Sequence, residues 1–343
     1  MRTMLNTLFV TSEDAYLSLE NDNVVVQNGE KTLAKVPLRS IEQILSFSYK
    51  GASPALMGKC TRLGVGMSFY SPYGRFYCSV LGENNRNVLL RREQFRRADS
   101  PGPAREFAAA FVIGKVFNCR WVVERTKRDH VLRVNVERLT QQSALLKDGL
   151  ERILACTSVD EVRGIEGKAA KDYFFTFDDL ILRDKDSFFF EQRSRRPPMD
   201  RMNALLSFTY ALLTNDCVAA LQGVGLDPYV GFLHVDRPGR ASLALDLMEE
   251  FRPVVADRFA LTLVNTGAVR VSHFEERENG GIFLTDVGRK VVLAAWQRRK
   301  TEQITHPFLG EKIPWGLVPH VPSLLLARCI RGDLDTYPPF MWK

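Results

Sequence analysis

Histidine is scarce in this chain, cysteine is scattered, and a long uninterrupted apolar run is missing. Only five histidines occur among 343 residues, so acidic company around any one of them is informative. The six cysteines (Cys60, Cys78, Cys119, Cys156, Cys217, Cys329) include no CxxC pair. Neither a zinc knuckle nor a disulfide framework is expected, and a reducing, cytoplasmic setting fits. The start Met1-Arg2-Thr3-Met4-Leu5-Asn6 lacks the sustained apolar core of a secretory signal. No apolar run reaches the length that crosses a membrane, so no membrane is expected as a partner. Internal repeats and low-complexity tracts are absent too.

What remains is a globular composition with a basic surplus. Hydrophobic residues make up 45% and charged residues 25%, and the length predicts two domains. The formal net charge is +7, which favours a polyanionic partner.

The pattern predicts an α+β protein, β-rich first and helical afterwards. Strands are expected at Asn6–Thr11, Ala15–Leu19 and Val24–Val26, with Asn28-Gly29 as a hairpin turn. Pro37–Phe47 reads as a further strand region, and Ser53–Leu63 as a helix closed by Gly64. Val65–Tyr70 and Arg75–Val80 then flank a turn at Ser71-Pro72-Tyr73-Gly74. Gly51–Cys60 resembles a phosphate loop only superficially, because the glycine spacing is wrong and Cys60 stands where a hydroxyl is required. Arg86, Arg91, Arg92, Arg96 and Arg97 precede Ser100-Pro101-Gly102-Pro103, which reads as a boundary. The expected domains are therefore residues 1–85, a basic linker at 86–105, and a helical domain at 106–343. Phe107, Phe111, Val112, Val116 and Phe117 recur at helical spacing, in a helix that runs past Arg125. Further helices are expected at Leu139–Leu154, after the capping box Ser158–Glu161, from Arg201 to Leu221 under Asp200, opening at Ser242, and from Thr285 to Arg299. Val271–Phe274 and Ile282–Leu284 would pair across Asn279-Gly280-Gly281, and Val321–Ile330 is a last apolar run.

Chemistry gathers at three places. Gly231-Phe232-Leu233-His234 is followed twelve and fifteen residues later by Asp246 and Glu249, neighbours at i and i+3 on the helix that Ser242 opens. Glu250 is a further candidate, and Pro253 should bend or end that helix near Glu249. Leu245, Leu247, Met248 and Phe251 crowd the same segment, so some of its acids must face inward. Glu166 forms the second place. Positions 166, 169, 170, 173, 174 and 177 share one helix face, and Glu166 is its one carboxylate among Ala, Tyr and Phe. An ion pair is the plain reading of such a group, while Gly164 and Gly167 suggest the close approach of another element. Imidazole with carboxylates suits a divalent cation of the Mg²⁺ or Mn²⁺ kind, whose open positions accept phosphate oxygens. His130, His273, His306 and His320 have no comparable company and read as structural. The third place is the set of basic doublets: Arg91-Arg92, Arg96-Arg97, Arg193 with Arg195-Arg196, and Arg298-Arg299-Lys300. Few aromatics interleave with them, so contact with duplex phosphates is expected, weakening steeply with salt.

These residues resemble the CRISPR-associated endonuclease and integrase family, the first of the two universal adaptation proteins. Gly164–Gly167 with Ala169-Ala170 and Tyr173-Phe174 resembles its first catalytic motif. Pro197–Phe208, including Asn203, resembles its proline–asparagine helix start. Gly225–His234 and Leu245–Pro253 resemble its second and third motifs. The end Arg331–Lys343 is similar to the type I-C branch. The resemblance implies a small N-terminal β domain that serves dimerisation and DNA bracing, followed by a larger, mostly helical catalytic domain. It implies a homodimer that acts on double-stranded DNA and assembles with the second CRISPR adaptation protein. Its metal site carries over to Glu166, His234 and Glu249, with Asp246, Asn203 and Glu250 in support. Arg240 joins the DNA-contacting set. Position 249 is Glu where many relatives have Asp, and Glu250 beside it leaves the inward acid to be determined. The implied reaction is insertion of short DNA fragments into a repeat array by metal-dependent transesterification. A catalytically silent DNA-binding scaffold and a metal-dependent phosphohydrolase of a small compound remain as alternatives.

Overall fold

The computed structural model describes residues 7–41, 43–70, 76–80 and 88–343. The turn at 71–74, and Asn6, Glu42, Arg75 and Arg86 from the expectations above, lie outside these residues. The chain forms two compact units. One gathers the described residues of Met1–Arg86 with Leu284–Ile304 and Ile313–Leu317; the other holds the described residues of Asn87–Phe283 with Thr305–Lys312 and Val318–Lys343.

Strands β1 (Thr7–Val10), β2 (Tyr16–Glu20), β3 (Asn23–Asn28), β4 (Lys31–Pro37) and β5 (Gln43–Ser46) lead into helix α1 (Pro54–Leu63) and strands β6 (Gly66–Tyr70) and β7 (Phe76–Val80). The order β1-β5-β6-β7 makes one sheet, parallel except for the antiparallel β6–β7 pair. β2-β3-β4 is an antiparallel meander turned at Asn28-Gly29. Alternating Val24 and Val26 face a core with Leu17, Ile44, Leu56 and Met67. The stretch that mimics a phosphate loop is the entry to α1, where the Ser53 hydroxyl accepts from the Leu56 N–H.

The expected linker is helical. Helix α2 (Val88–Asp99) carries the arginines, and α3 (Pro101–Asp129) begins at once with Ser100 as its cap residue. Proline is tolerated in a first helical turn, where its missing N–H has no intrahelical partner. Helix α3 is the axis of the second unit. It packs against α4 (Val136–Leu154), α5 (Val159–Phe175) and α7 (Ser242–Phe251). The Ser158 hydroxyl caps α5 by accepting from Glu161 N–H. Helix α6 (Arg201–Gly223) is capped by Asp200. It is long and apolar enough by length and composition to cross a membrane, contrary to the expectation, but 67% of its most apolar window is buried inside the protein. A central core helix needs the same apolar surface on all sides.

Ser242 opens α7 as its first residue, as expected, and its hydroxyl donates to the Val235 carbonyl. Beyond α7 the chain makes a π-helical turn at Arg252–Asp257 and continues as α8 (Arg258–Asn265). The short pair β8 (Phe274–Glu276) and β9 (Ile282–Leu284) follows, with Val271–His273 forming a 3-10 turn instead of strand. Helix α9 (Asp286–Thr301), capped by Thr285, belongs to the first unit, so that unit draws on more of the chain than residues 1–85. Helix α10 (His320–Arg331) belongs to the second unit.

Candidate metal and phosphodiester site

Pro253 decides the local geometry of the acidic helix. It has no N–H for the Glu249 carbonyl, so the α-helical ladder breaks and widens into the π-helical turn. Arg252 then reaches back to Glu249, with Nη1 at 3.0 Å from Oε1. Successive residues on α7 are rotated by about 100°, which sends Glu249 and Glu250 to different surroundings. Both are buried.

Glu250 faces away from the other candidate groups. Its Oε1 accepts from the Tyr337 hydroxyl at 2.7 Å and its Oε2 from the Phe340 N–H. Asn118 extends this anchor, donating through Nδ2 to the Glu250 and Phe340 carbonyls at 2.7 Å each and accepting from Trp342 N–H at 2.9 Å. Gly114 makes room for it, since a Cβ there would stand 2.8 Å from Glu250 Cγ. Burial pushes the Glu250 carboxyl up to about 8, against the pull of its Phe340 and Tyr337 donors.

Asp246 is fully buried and spends its oxygens on the histidine loop. Oδ2 accepts from Phe232 N–H at 2.6 Å and Leu233 N–H at 2.9 Å; Oδ1 accepts from His234 N–H at 2.9 Å and meets His234 Nδ1 at 2.6 Å. Gly231 permits this approach, because a Cβ there would lie 2.9 Å from Asp246 Oδ2 and 2.8 Å from Ser242 Cβ. A carboxylate on Nδ1 fixes the ring and leaves Nε2 as its working atom. Nε2 stands 3.8 Å from Glu249 Oε1.

Glu166, on α5, is brought to the same place by Lys115 of α3. The buried Lys115 ammonium pairs with Glu166 and lies 2.7 Å from Glu249 Oε2. Burial opposes its charge, yet Glu249 and then Glu166 hold its pKa above the ordinary lysine value. Burial likewise opposes charge on Glu249, but Arg252, Lys115 and His234 together hold that carboxyl well below the usual range. Lys115 and Arg252 were not singled out from the sequence. A signal for Lys115 was present: it falls at i+4 from Phe111 and i+3 from Val112, one cation in an apolar helix stripe. Gly164 and Gly167 bring nothing close, and a Cβ at either would meet open space.

Asn203 is buried in the first turn of α6. It donates to the Gln192 carbonyl and accepts from Arg193 Nη1 at 2.7 Å. Arg193 lies over one side of the Tyr210 ring at 5.3 Å and Arg252 also meets that ring, at 5.2 Å. The Tyr210 hydroxyl donates to the buried Asp257 at 2.6 Å. Arg193 is thus taken up by the protein itself rather than open to phosphate, and so is Lys300, which is 6% exposed. Arg96 and Arg97 both pair with Glu93, and Arg299 pairs with Glu302 and lies over Trp315, so these are not free doublets. Arg92, Arg195, Arg196 and Arg298 are exposed; Arg91 and Arg240 are partly so.

Two carboxylates and an imidazole braced by a third carboxylate form a donor set that suits a divalent cation. Among the described residues, however, no group of three or more His, Cys, Asp or Glu side chains is drawn together at metal-binding spacing. The Lys115 ammonium pairs with both Glu166 and Glu249. The donor set fits a metal provided that this lysine withdraws.

The helical scaffold with its acidic, imidazole-bearing centre defines the class of a candidate metal-dependent nuclease. The comparisons with known proteins agree. The sequence profile of CRISPR associated protein Cas1 matches residues 8–298. A CRISPR-associated endonuclease Cas1 of Chlorobaculum tepidum is 46% identical over 343 residues, covering 100% of both chains. Another, from Rhodospirillum rubrum, is 43% identical over 351 residues, again covering 100% of both. Among solved structures, a casposase bound to integration product has a TM-score of 0.84 at 20% identity, covering 98% of this chain and 94% of that one. A CAS1 protein from Thermotoga maritima has a TM-score of 0.82 at 22% identity, covering 97% and 99%. The chain belongs to the CRISPR-associated Cas1 family. It is an enzyme of the endonuclease class, and nucleases of this class generally work with divalent metals.

Proposed function

We propose that this protein inserts short DNA fragments into a CRISPR repeat array by transesterification, and that the same centre nicks or resolves branched DNA. The observation that carries the reading is the linked set in which the Lys115 ammonium pairs with both Glu166 and Glu249 while His234 Nε2 stands 3.8 Å from Glu249 Oε1. In the reaction the 3′-hydroxyl oxygen of the fragment bonds to a repeat phosphorus as the phosphorus–oxygen bond to the neighbouring nucleotide breaks. Glu166, His234 and Glu249 would hold the Mg²⁺ or Mn²⁺, which when bound would supply positive charge to the phosphoryl oxygens. Asp246 keeps the imidazole ring oriented through Nδ1, and Arg252 keeps the Glu249 carboxylate ionised and in place. Asn203 and Glu250 act by bracing, one through Arg193 and the other through the C-terminal segment.

Arg91, Arg92, Arg96, Arg97, Arg195, Arg196, Arg240, Arg298 and Arg299 are the proposed contacts for duplex phosphates. The N-terminal unit is proposed to serve dimerisation and DNA bracing in a homodimer, and the second CRISPR adaptation protein is the proposed partner. A fold of TM-score 0.83 at 21% identity occurs within a Cas6-RT-Cas1–Cas2 complex, 36% of whose chain is covered. The end Arg331–Lys343 supports the type I-C branch, and six free cysteines fit a cytoplasmic setting.

The test is strand transfer of a short duplex into a repeat-bearing plasmid with Mg²⁺ or Mn²⁺, alongside duplex binding across salt concentrations. The expected result is metal-dependent joined product and binding that weakens steeply with salt. Binding without product would favour a silent scaffold; salt-independent behaviour with no duplex affinity would favour a small-molecule phosphohydrolase.

A further inference from the structure

Arg163 sits one helical turn before Glu166 on α5 and plays no part in the chemistry described so far. Its guanidinium donates to the Leu233 carbonyl twice, from Nε at 3.1 Å and from Nη2 at 2.9 Å. Its Nη1 pairs with Asp160. Leu233 immediately precedes His234, and its carbonyl belongs to the same peptide group as the His234 N–H. That N–H donates to Asp246 Oδ1 at 2.9 Å. One peptide plane is therefore gripped at both ends, its oxygen from the helix of Glu166 and its nitrogen from the helix of Glu249.

We propose that Arg163 is a positioning residue for His234. A peptide group is planar, so fixing its oxygen and its nitrogen fixes its rotation, and with it the start of the His234 side chain. Asp246 alone sets the ring through Nδ1 and the loop through its amides; it does not tie the loop to α5. Arg163 makes that tie. It holds Nε2 of His234 in constant relation to Glu166, a carboxylate that comes from a different helix. The forked double bond to one carbonyl uses the planar guanidinium, which a lysine cannot reproduce.

A competing role follows from exposure. The Arg163 side chain is 39% exposed, enough for a contact to substrate phosphate. The two roles separate in kinetics. A positioning residue affects turnover at saturating DNA, whereas a phosphate contact affects affinity and its salt dependence.

The inference rests on the reading of His234 as part of the reactive centre, so His234→Ala is measured in parallel. In strand transfer with Mn²⁺, Arg163→Ala should lower kcat by about 10- to 100-fold, the usual cost of losing an outer partner of a metal-binding imidazole. KM and the salt slope of duplex binding should stay close to wild type. Arg163→Lys should recover only part of the loss, and it retains the charge if the alanine variant proves unstable. The imidazole resonances of His234 in the metal-free protein should shift or broaden in both variants. A loss confined to KM, with a salt slope smaller by about one, overturns the proposal in favour of a phosphate contact. Wild-type kcat in both variants, with His234→Ala inactive, overturns the proposal alone. Full activity of His234→Ala overturns the site reading instead.

Discussion

Lys115 Nζ lies 2.7 Å from Glu249 Oε2 and at the same time pairs with Glu166. A buried ammonium thus holds together two carboxylates from different helices. Removing one partner of a buried ion pair is costly, about 3–5 kcal/mol, because the others are left uncompensated. Lys115→Met should therefore lose roughly that much stability in EDTA, and Mn²⁺ should restore most of it. Denaturant unfolding with and without metal checks this. Equal loss in both conditions would show that metal does not occupy the lysine's place.

Asp246 should matter through His234 and its loop rather than as a ligand. Asp246→Asn keeps the size but places an amide N–H₂ against donors. Activity should fall by about 10- to 100-fold. Unfolding free energy should fall by about 1–3 kcal/mol for each buried donor left without an acceptor. The two are measured on the same preparation, by strand transfer and by urea titration.

Glu249 and Glu250 should separate cleanly. Glu250→Ala removes the acceptor for Tyr337 and Phe340 and leaves a cavity, a loss of about 2–4 kcal/mol in folding. Glu249→Gln should abolish strand transfer while the protein remains folded by circular dichroism. The opposite assignment would exchange these two outcomes.

His306 gives a pH signature independent of the site. It is 1% exposed, and burial pushes its imidazole down to about 4 from an ordinary value near 6.5. Its folded value lies below its unfolded value, so the stability it contributes is complete above about 6.5 and is lost as pH falls toward 4. At about 1.4 kcal/mol per unit, the wild-type protein should lose roughly 3 kcal/mol across that window from this group. His306→Asn, which keeps an acceptor for the Phe308 and Leu309 N–H groups, should show no such component in urea titrations at the two pH values.

The local signals in the sequence were sufficient for most elements. Ser53 with Gly64, Ser158 with Glu161, Asp200 and Thr285 each cap where the spacing predicts. Pro101-Gly102-Pro103 misleads because proline marks both linkers and first helical turns, and only packing distinguishes them. The inward orientation of Asp246 and Glu249 follows from apolar crowding on α7. The sequence leaves Glu249 and Glu250 ambiguous because both are buried, and the deciding groups, Tyr337 and Phe340, lie far along the chain. Lys115 and Arg163 act through helices that no local pattern brings together. The arginine doublets read as free surface charge until Glu93 and Glu302 are seen to pair with them.

The central claim is that Glu166, His234 and Glu249 form one metal-dependent reactive centre. Strand transfer of a short duplex into a repeat-bearing plasmid, with Mn²⁺ present or chelated, tests it most directly when run on Glu166→Gln, His234→Ala and Glu249→Gln. Each variant should bind duplex DNA as the wild type does and yield no joined product, just as the wild type yields none with chelator. Joined product at the wild-type rate from any of the three would contradict the account.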